Sequence, residues 1–152
     1  MKKNLQNWLN EGRLQQHQTS IKEIADLFTV AERDLADAAI KEISADRRFA
    51  TAYNAVLQLA TIVLHASGYR AGKTGHHWVT FKILPEVMGP EAQEQADYFN
   101  SCRSTRNVTD YDRAGVVADA TADEILEEAK AFKMEVIEWL KARHPDLLEE
   151  KK

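Results

Sequence analysis

Cysteine is almost missing from this sequence, since Cys102 is the only one among 152 residues. An internal disulfide is therefore excluded, and a reducing cytoplasm is the expected location. A single thiol without a nearby histidine to activate it is expected to be a buried packing residue and not a nucleophile.

Helix breakers and long apolar runs are also scarce. The chain has three prolines and six glycines, a composition that favours a helical protein. Its longest apolar segment, residues 55–66, is interrupted by polar side chains and is shorter than the roughly 20 residues that a membrane span requires. The polar residues after Lys2 and Lys3 are not expected to form a secretory signal. We predict one domain that makes no contact with a membrane.

The charge is modestly acidic and unevenly distributed. A formal net charge of -4 argues against a protein that coats nucleic acid. Residues 45–82, however, carry five basic side chains against one acid, whereas residues 83–100 carry four acids and no base. This distribution predicts a local basic face on an acidic protein.

Helical periodicity dominates the first half of the chain. Ser20 and Glu23 form a capping-box pattern, and apolar residues then recur at spacings of three and four, which predicts a helix over residues 20–44. Ser44 or Asp46 can cap a second helix, which Gly68 is placed to end. That helix is apolar on more than one side and is predicted to be central.

The second half continues the pattern. A flexible basic loop is expected over residues 68–75, followed by a third helix that Pro85 kinks or stops, and a fourth that begins at Pro90. Thr121 and Glu124 resemble a second capping box before the last helix. That helix carries an apolar stripe of Ile125, Ala129, Phe132, Val136 and Trp139. Such a stripe is usually core, but a surplus stripe commonly mediates dimerisation, and we predict a homodimer.

These segments predict an all-α fold, a bundle of four long helices with one or two short ones and without strand-like alternation. We divide the chain into an N-terminal arm or short helix (residues 1–19), the bundle (residues 20–144) and a loose C-terminal tail (residues 145–152).

The segment 100–115 contains the side chains best suited to binding or catalysis. Its polar side chains are Arg103, Arg106, Asn107, Asp110, Tyr111, Asp112 and Arg113. Arginine guanidinium groups at a junction between two helices can bind an anion through paired hydrogen bonds. The alternative is that these residues only tie the two helices together through ion pairs.

A second basic cluster lies before and at the start of the third helix, and it contains Arg70, Lys73, His76 and His77. A helix N-terminus with these side chains is a candidate anion site, with solvated surface as the alternative. The segment is not a P-loop, because Ser67 stands where the first glycine is required. Adjacent histidines cannot easily share a metal, and we predict no metal site. We expect this cluster and Arg106 to form one depression suited to phosphate.

Three segments resemble a known family: Phe49-Ala-Thr-Ala-Tyr53-Asn-Ala, Thr74-Gly-His76, and Arg106-Asn-Val-Thr-Asp110-Tyr111-Asp112. Their order is similar to that in the HEPN superfamily (higher eukaryotes and prokaryotes nucleotide-binding), in particular its small stand-alone prokaryotic members. The resemblance covers roughly residues 30–142.

The resemblance implies a helical bundle, often a homodimer. Catalytic members cleave RNA with an arginine and a histidine that follows it after a short and slightly variable spacing, and many are toxins encoded beside a minimal nucleotidyltransferase antitoxin. Here Tyr111 stands where that histidine would follow Arg106. A tyrosine with a pKa near 10 is a poor base at neutral pH, and Asp110 is a weak one.

We therefore expect a HEPN-like protein that binds RNA, a nucleotide or a partner protein, without ribonuclease activity of its own, in a toxin–antitoxin or related defence pair. The ligand-binding candidates are Arg70, Lys73, His76, His77, Arg103, Arg106 and Asn107, and no cofactor is expected. One alternative is an active metal-independent ribonuclease that uses Arg106 for the phosphate and Asp110 or Tyr111 for proton transfer. A further alternative is a purely structural adaptor.

Overall fold

The computed structural model describes residues 2–73, 76–111 and 117–148, and most of these residues are helical. The elements, in chain order, are α1 (Lys2–Asn10), β1 (Leu14–Gln16), α2 (Ile21–Ala38), α3 (Ala45–Ala66), β2 (Tyr69–Ala71), α4 (His76–Met88), α5 (Gln93–Tyr111) and α6 (Asp119–Arg143). Short 3-10 turns lie at Pro90–Ala92 and Pro145–Leu147. The prediction of an all-α bundle is confirmed.

Helix α3 is the centre of the bundle. It packs against α2, α4, α5 and α6, and its buried residues face several directions, as its sequence predicted. Its length and mean hydropathy of 1.3 would also suit a membrane span. A core helix has the same properties, and 61 % of that apolar window is buried within the protein.

Helices α2 and α3 begin at serine caps, Ser20 and Ser44, and both were among the caps that the sequence predicted. The Ser20 hydroxyl accepts a hydrogen bond from the Glu23 N–H at 3.1 Å, and the Ser44 hydroxyl accepts one from the Arg47 N–H at 3.3 Å. Helix α2 ends at Ala38, short of the predicted residue 44. The Arg48 side chain donates to the carbonyl of Ala38 at 2.8 Å and so satisfies one of the acceptors left at the helix end.

The predicted absence of strands is wrong at one place. Strands β1 and β2 pair antiparallel, with Gln15 opposite Arg70, so the expected loop over residues 68–75 contains a strand. Helix α1 precedes this pair and packs against α4, where the Trp8 and Trp78 rings meet edge to face at 5.7 Å. The N-terminal arm therefore contributes to the packed structure.

Pro85 does not stop α4, which continues to Met88. The Pro85 ring is buried, so packing holds the helix through the position where a backbone donor is missing. The chain turns instead at Gly89, whose φ of 114° suits glycine.

Helix α6 begins at Asp119 after Ala118, so Thr121 is not its cap. The chain entering it is fixed by Asp46, whose carboxylate accepts a hydrogen bond from the Val117 N–H at 2.9 Å. The predicted apolar stripe of this helix is buried within the chain up to Val136 and packs against α3. The stripe therefore gives no support to a homodimer, which remains a prediction from the family resemblance.

Part of the segment expected to be a loose tail is packed. Leu147 and Leu148 pack against the core after the turn at Pro145–Leu147. Residues 149–152 lie outside the described residues.

Candidate functional site

Three helices bring Tyr53, His77 and Arg106 together. The Tyr53 hydroxyl on α3 lies 3.0 Å from Nδ1 of His77 on α4. The guanidinium carbon of Arg106 on α5 lies 5.8 Å from the centroid of the Tyr53 ring, within cation–π range. One aromatic ring therefore contacts both a histidine and an arginine from other helices.

Tyr53 is the fixed centre of this cluster. Its side chain is fully buried, and its ring packs edge to face with Phe81 at 6.0 Å. A buried phenol needs a partner for its hydroxyl, and His77 supplies it. Burial raises the pKa of Tyr53 far above its ordinary value, although the positive charges of Arg103 and Arg106 oppose the rise. The hydroxyl consequently stays protonated at neutral pH and can act as a hydrogen-bonding group but not as a base.

Arg106 is positioned from two sides. Its Nη2 donates to the Asn54 side-chain oxygen at 3.3 Å while its guanidinium lies over the Tyr53 ring. Arg103 precedes it by three residues on α5, a spacing that places both on the same face of a helix. Both arginine side chains are half-buried, and both act electrostatically on Tyr53. The cluster therefore concentrates positive charge beside an aromatic and an imidazole ring.

The structure does not bring all of the predicted phosphate-binding residues into one depression. Arg70 lies on β2 and donates to the Gln15 side-chain oxygen at 3.0 Å. Its charge acts on His65, twelve residues after Tyr53 on α3, which corresponds to about 18 Å along the helix axis. Lys73 is exposed just beyond β2. The structure thus links His77 and Arg106 through Tyr53 and places Arg70 near the C-terminal end of α3.

Several predicted residues lie outside the described side chains. They are His76, Asn107, Asp110 and Tyr111, whose backbone is helical, and Asp112 and Arg113, which fall in the undescribed segment 112–116. Their predicted roles remain predictions. Cys102 is buried, as expected, and burial raises the pKa of its thiol to about 11.

Two features were not predicted from the sequence. His17, Glu23 and His65 converge where β1, α2 and α3 meet. A surface groove of about 800 Å³ between α5, α6 and the end of α4 is strongly acidic. Its lining contains Glu91, Glu94, Glu124, Glu128, Glu135 and Glu138, together with Met88, Tyr98, Met134 and Trp139. Local patterns could not reveal either feature, because each draws on segments far apart in the chain.

A family model described as SAV_6107-like HEPN matches residues 38–138. The match contains α3, α4 and α5 and most of α6, and therefore every residue of the Tyr53 cluster. No curated protein and no solved structure matches the chain significantly.

Proposed function

The chain belongs to the SAV_6107-like HEPN family, and we propose that it binds the phosphate groups of RNA or of a nucleotide at Arg103, Arg106 and His77. We propose further that it has no ribonuclease activity of its own and acts in a toxin–antitoxin or related defence pair. The observation that carries the binding proposal is the position of Arg106 over Tyr53 and beside Asn54.

A positioned arginine is well suited to phosphate. The planar guanidinium donates two parallel hydrogen bonds to phosphate oxygens, and its charge strengthens both. Arg106 is already oriented by an amide and an aromatic ring, so binding restricts less side-chain freedom. Arg103 on the same helix face adds a second charge. Both features favour an anionic ligand over a neutral one.

The absence of ribonuclease activity is proposed on chemical grounds. RNA cleavage without a metal requires a base for the 2′-hydroxyl proton, and Tyr111 stands where the family's catalytic members have a histidine. Tyr53 cannot replace it, because burial keeps its hydroxyl protonated.

One observation favours an active ribonuclease as the second candidate. His77 reaches the Tyr53 ring from α4, so an imidazole accompanies Arg106 even though no histidine follows it on α5. In that case Arg106 would hold the phosphate and His77 would accept the proton, with Tyr53 fixing the orientation of the ring.

Fluorescence anisotropy with a labelled single-stranded RNA tests the binding proposal. Arg106→Gln is expected to weaken binding about tenfold, the effect of losing about 1.4 kcal/mol, and to lower the salt dependence by about one counterion. Arg143→Gln is the matched control, because it removes the same charge from an exposed position at the end of α6. ATP serves as a second ligand in the same assay. If the two variants bind equally well, or if the unmodified protein binds neither RNA nor ATP, the structural adaptor is favoured instead.

The same RNA, incubated with protein and EDTA and resolved on a denaturing gel, separates binding from cleavage. Intact RNA is the expected result. Cleavage that is lost in both His77→Gln and Arg106→Gln would establish the ribonuclease.

The partner is proposed to be a minimal nucleotidyltransferase antitoxin that places a basic, partly apolar segment in the acidic groove. Six glutamates around methionine and tryptophan side chains complement such a segment and repel a second copy of the same surface.

Isothermal calorimetry with the separately purified product of a neighbouring nucleotidyltransferase gene tests this proposal, and binding is the expected result. Glu135→Lys with Glu138→Lys should abolish this binding, and Glu42→Lys outside the groove should not. Light scattering on the same samples tests the proposed homodimer.

A further inference from the structure

We propose that His17, Glu23 and His65 form a binding site for one divalent transition-metal ion with the ligand preferences of Zn²⁺. This site lies near the C-terminal end of α3. It does not depend on the proposed phosphate site around Tyr53.

The three side chains converge on one carboxylate oxygen. Nε2 of His17 lies 2.7 Å from Oε1 of Glu23, and Nδ1 of His65 lies 3.1 Å from the same oxygen. All three atoms lie within 4.8 Å of one another. Two imidazole nitrogens and a carboxylate oxygen are a donor set that Zn²⁺ and its neighbours in the first transition row accept.

Backbone contacts fix each of the three ligands. The His17 N–H donates to the carbonyl of Gly68 at 2.9 Å, which extends the pairing of β1 with β2. Glu23 lies in the first turn of α2, where its N–H donates to the cap residue Ser20. His65 lies in the last turn of α3. The donor set is therefore assembled by the fold and does not need to form when an ion arrives.

Hydrogen bonding within the protein does not account for the whole cluster. The Thr19 hydroxyl already donates to Oε1 of Glu23 at 2.6 Å, and Nε2 of His17 contacts the same oxygen. Nδ1 of His65 is buried, and among the described groups it has no hydrogen bond of acceptable geometry despite its short distance to Glu23. A buried nitrogen without a hydrogen bond is costly, and a cation between it and the carboxylate would satisfy both.

The distances require only a small adjustment. Zinc bonds of about 2.0–2.2 Å in tetrahedral geometry place ligand atoms about 3.3 Å apart. The separations from Oε1 of Glu23 are 2.7 and 3.1 Å, which differ from this spacing by a few tenths of an ångström. The two imidazole nitrogens lie within 4.8 Å of each other and would have to close by at most about 1.5 Å. Thr19 would then orient the ligating carboxylate. The adjoining groove, lined by Gln16, His17, Gln18, Ser67, Gly68 and Tyr69, would admit a water as the fourth ligand.

The protonation states also suit a metal. Burial lowers the pKa of His65, which favours the neutral imidazole that ligates, although Glu23 opposes this shift. Burial alone would raise the pKa of Glu23, but hydrogen bonds from Thr19 and His17 outweigh it and keep the carboxylate ionised. The positive charge of Arg70 lowers the pKa of His65 further, but the same charge would repel a bound cation. Removing that charge should therefore strengthen metal binding.

Competition with a chromophoric zinc indicator, using protein without a histidine tag, tests the proposal. One Zn²⁺ per chain is expected. Glu23→Gln and His65→Gln should each weaken binding at least about 100-fold, and Thr19→Val about 10- to 100-fold, since it removes only a contact to a ligand. Arg70→Gln should bind more tightly, and His144→Gln, at the far end of α6, should bind as the unmodified protein does.

A second readout covers the case in which a variant folds poorly. Zn²⁺ should raise the melting temperature of the unmodified protein and of Arg70→Gln in proportion to the logarithm of its concentration, and it should leave Glu23→Gln unchanged. Absence of zinc binding by folded protein, or equal affinity in Glu23→Gln, would overturn the proposal and leave a hydrogen-bonded cluster.

Discussion

The Tyr53 hydroxyl and Nδ1 of His77 are 3.0 Å apart, and this contact joins the central helix α3 to α4. It satisfies the polar atom of a fully buried tyrosine and holds the imidazole against the same residue that Arg106 contacts. The same hydrogen bond therefore serves both the stability of the bundle and the geometry of the proposed site.

Tyr53→Phe removes this hydrogen bond and retains the ring. The free energy of unfolding should fall by about 1 kcal/mol, the usual net contribution of one hydrogen bond. Urea unfolding followed by circular dichroism measures the change. Tyr98→Phe is the control, because its hydroxyl donates to Glu124 at the surface and should matter less. An equal loss in both variants would contradict the account of Tyr53.

Arg48 should be a determinant of stability. It is 2 % exposed, donates to the carbonyl of Ala38 and contacts the Asp123 carboxylate at 2.6 Å, and so it ties α3 to α2 and α6. Arg48→Met leaves that carbonyl without its donor, and the expected cost is about 1–3 kcal/mol. Arg33→Met, which changes an exposed arginine on α2, should cost much less in the same chemical-unfolding experiment.

The Arg48 contact also predicts a pH dependence. Hydrogen bonds from Arg48 and Lys41 hold the pKa of Asp123 below its ordinary value of 3.8. The carboxylate therefore stabilises the folded state fully above that pH, and the contribution is lost as the pH falls through the lowered pKa. Asp123→Asn should be less stable than the unmodified protein at pH 7, and the difference should narrow below pH 3.8. A difference that widens with acidification would contradict this assignment.

Cys102 should react slowly with thiol reagents while the protein is folded. Burial both shields its sulfur and raises the pKa of the thiol to about 11, so little thiolate is present at pH 8. Labelling with a disulfide reagent should become rapid only in denaturant, which also serves as the control for total thiol. Rapid labelling of the native protein would show that α5 opens readily.

The sequence predicted the bundle because its signals there are local. Ser20 and Ser44 cap helices through contacts three residues away, and the 3.6-residue repeat places apolar side chains on shared faces. The strand pair was missed because Gln15 and Arg70 are far apart in the chain and each strand has only three residues. Thr121 failed as a cap because Asp46, from another helix, fixes the chain before α6.

The candidate sites were predicted only in part for the same reason. Arg106 and His77 were selected by residue type and position, but the roles of Tyr53 and Asn54 follow from helix packing. His17, Glu23 and His65 meet only because the β1–β2 pair brings the N-terminal arm to the end of α3. No spacing rule within one helix contains that information.

We infer that Arg106 contributes more to binding a phosphate ligand than to the stability of the fold. RNA affinity and the free energy of unfolding, measured on the same preparation of Arg106→Gln, separate these two roles. We predict about tenfold weaker RNA binding, while the loss of the 3.3 Å contact with Asn54 lowers the free energy of unfolding by no more than about 1 kcal/mol. Unchanged RNA affinity together with a stability loss of about 3 kcal/mol would show that Arg106 is structural and would contradict the account.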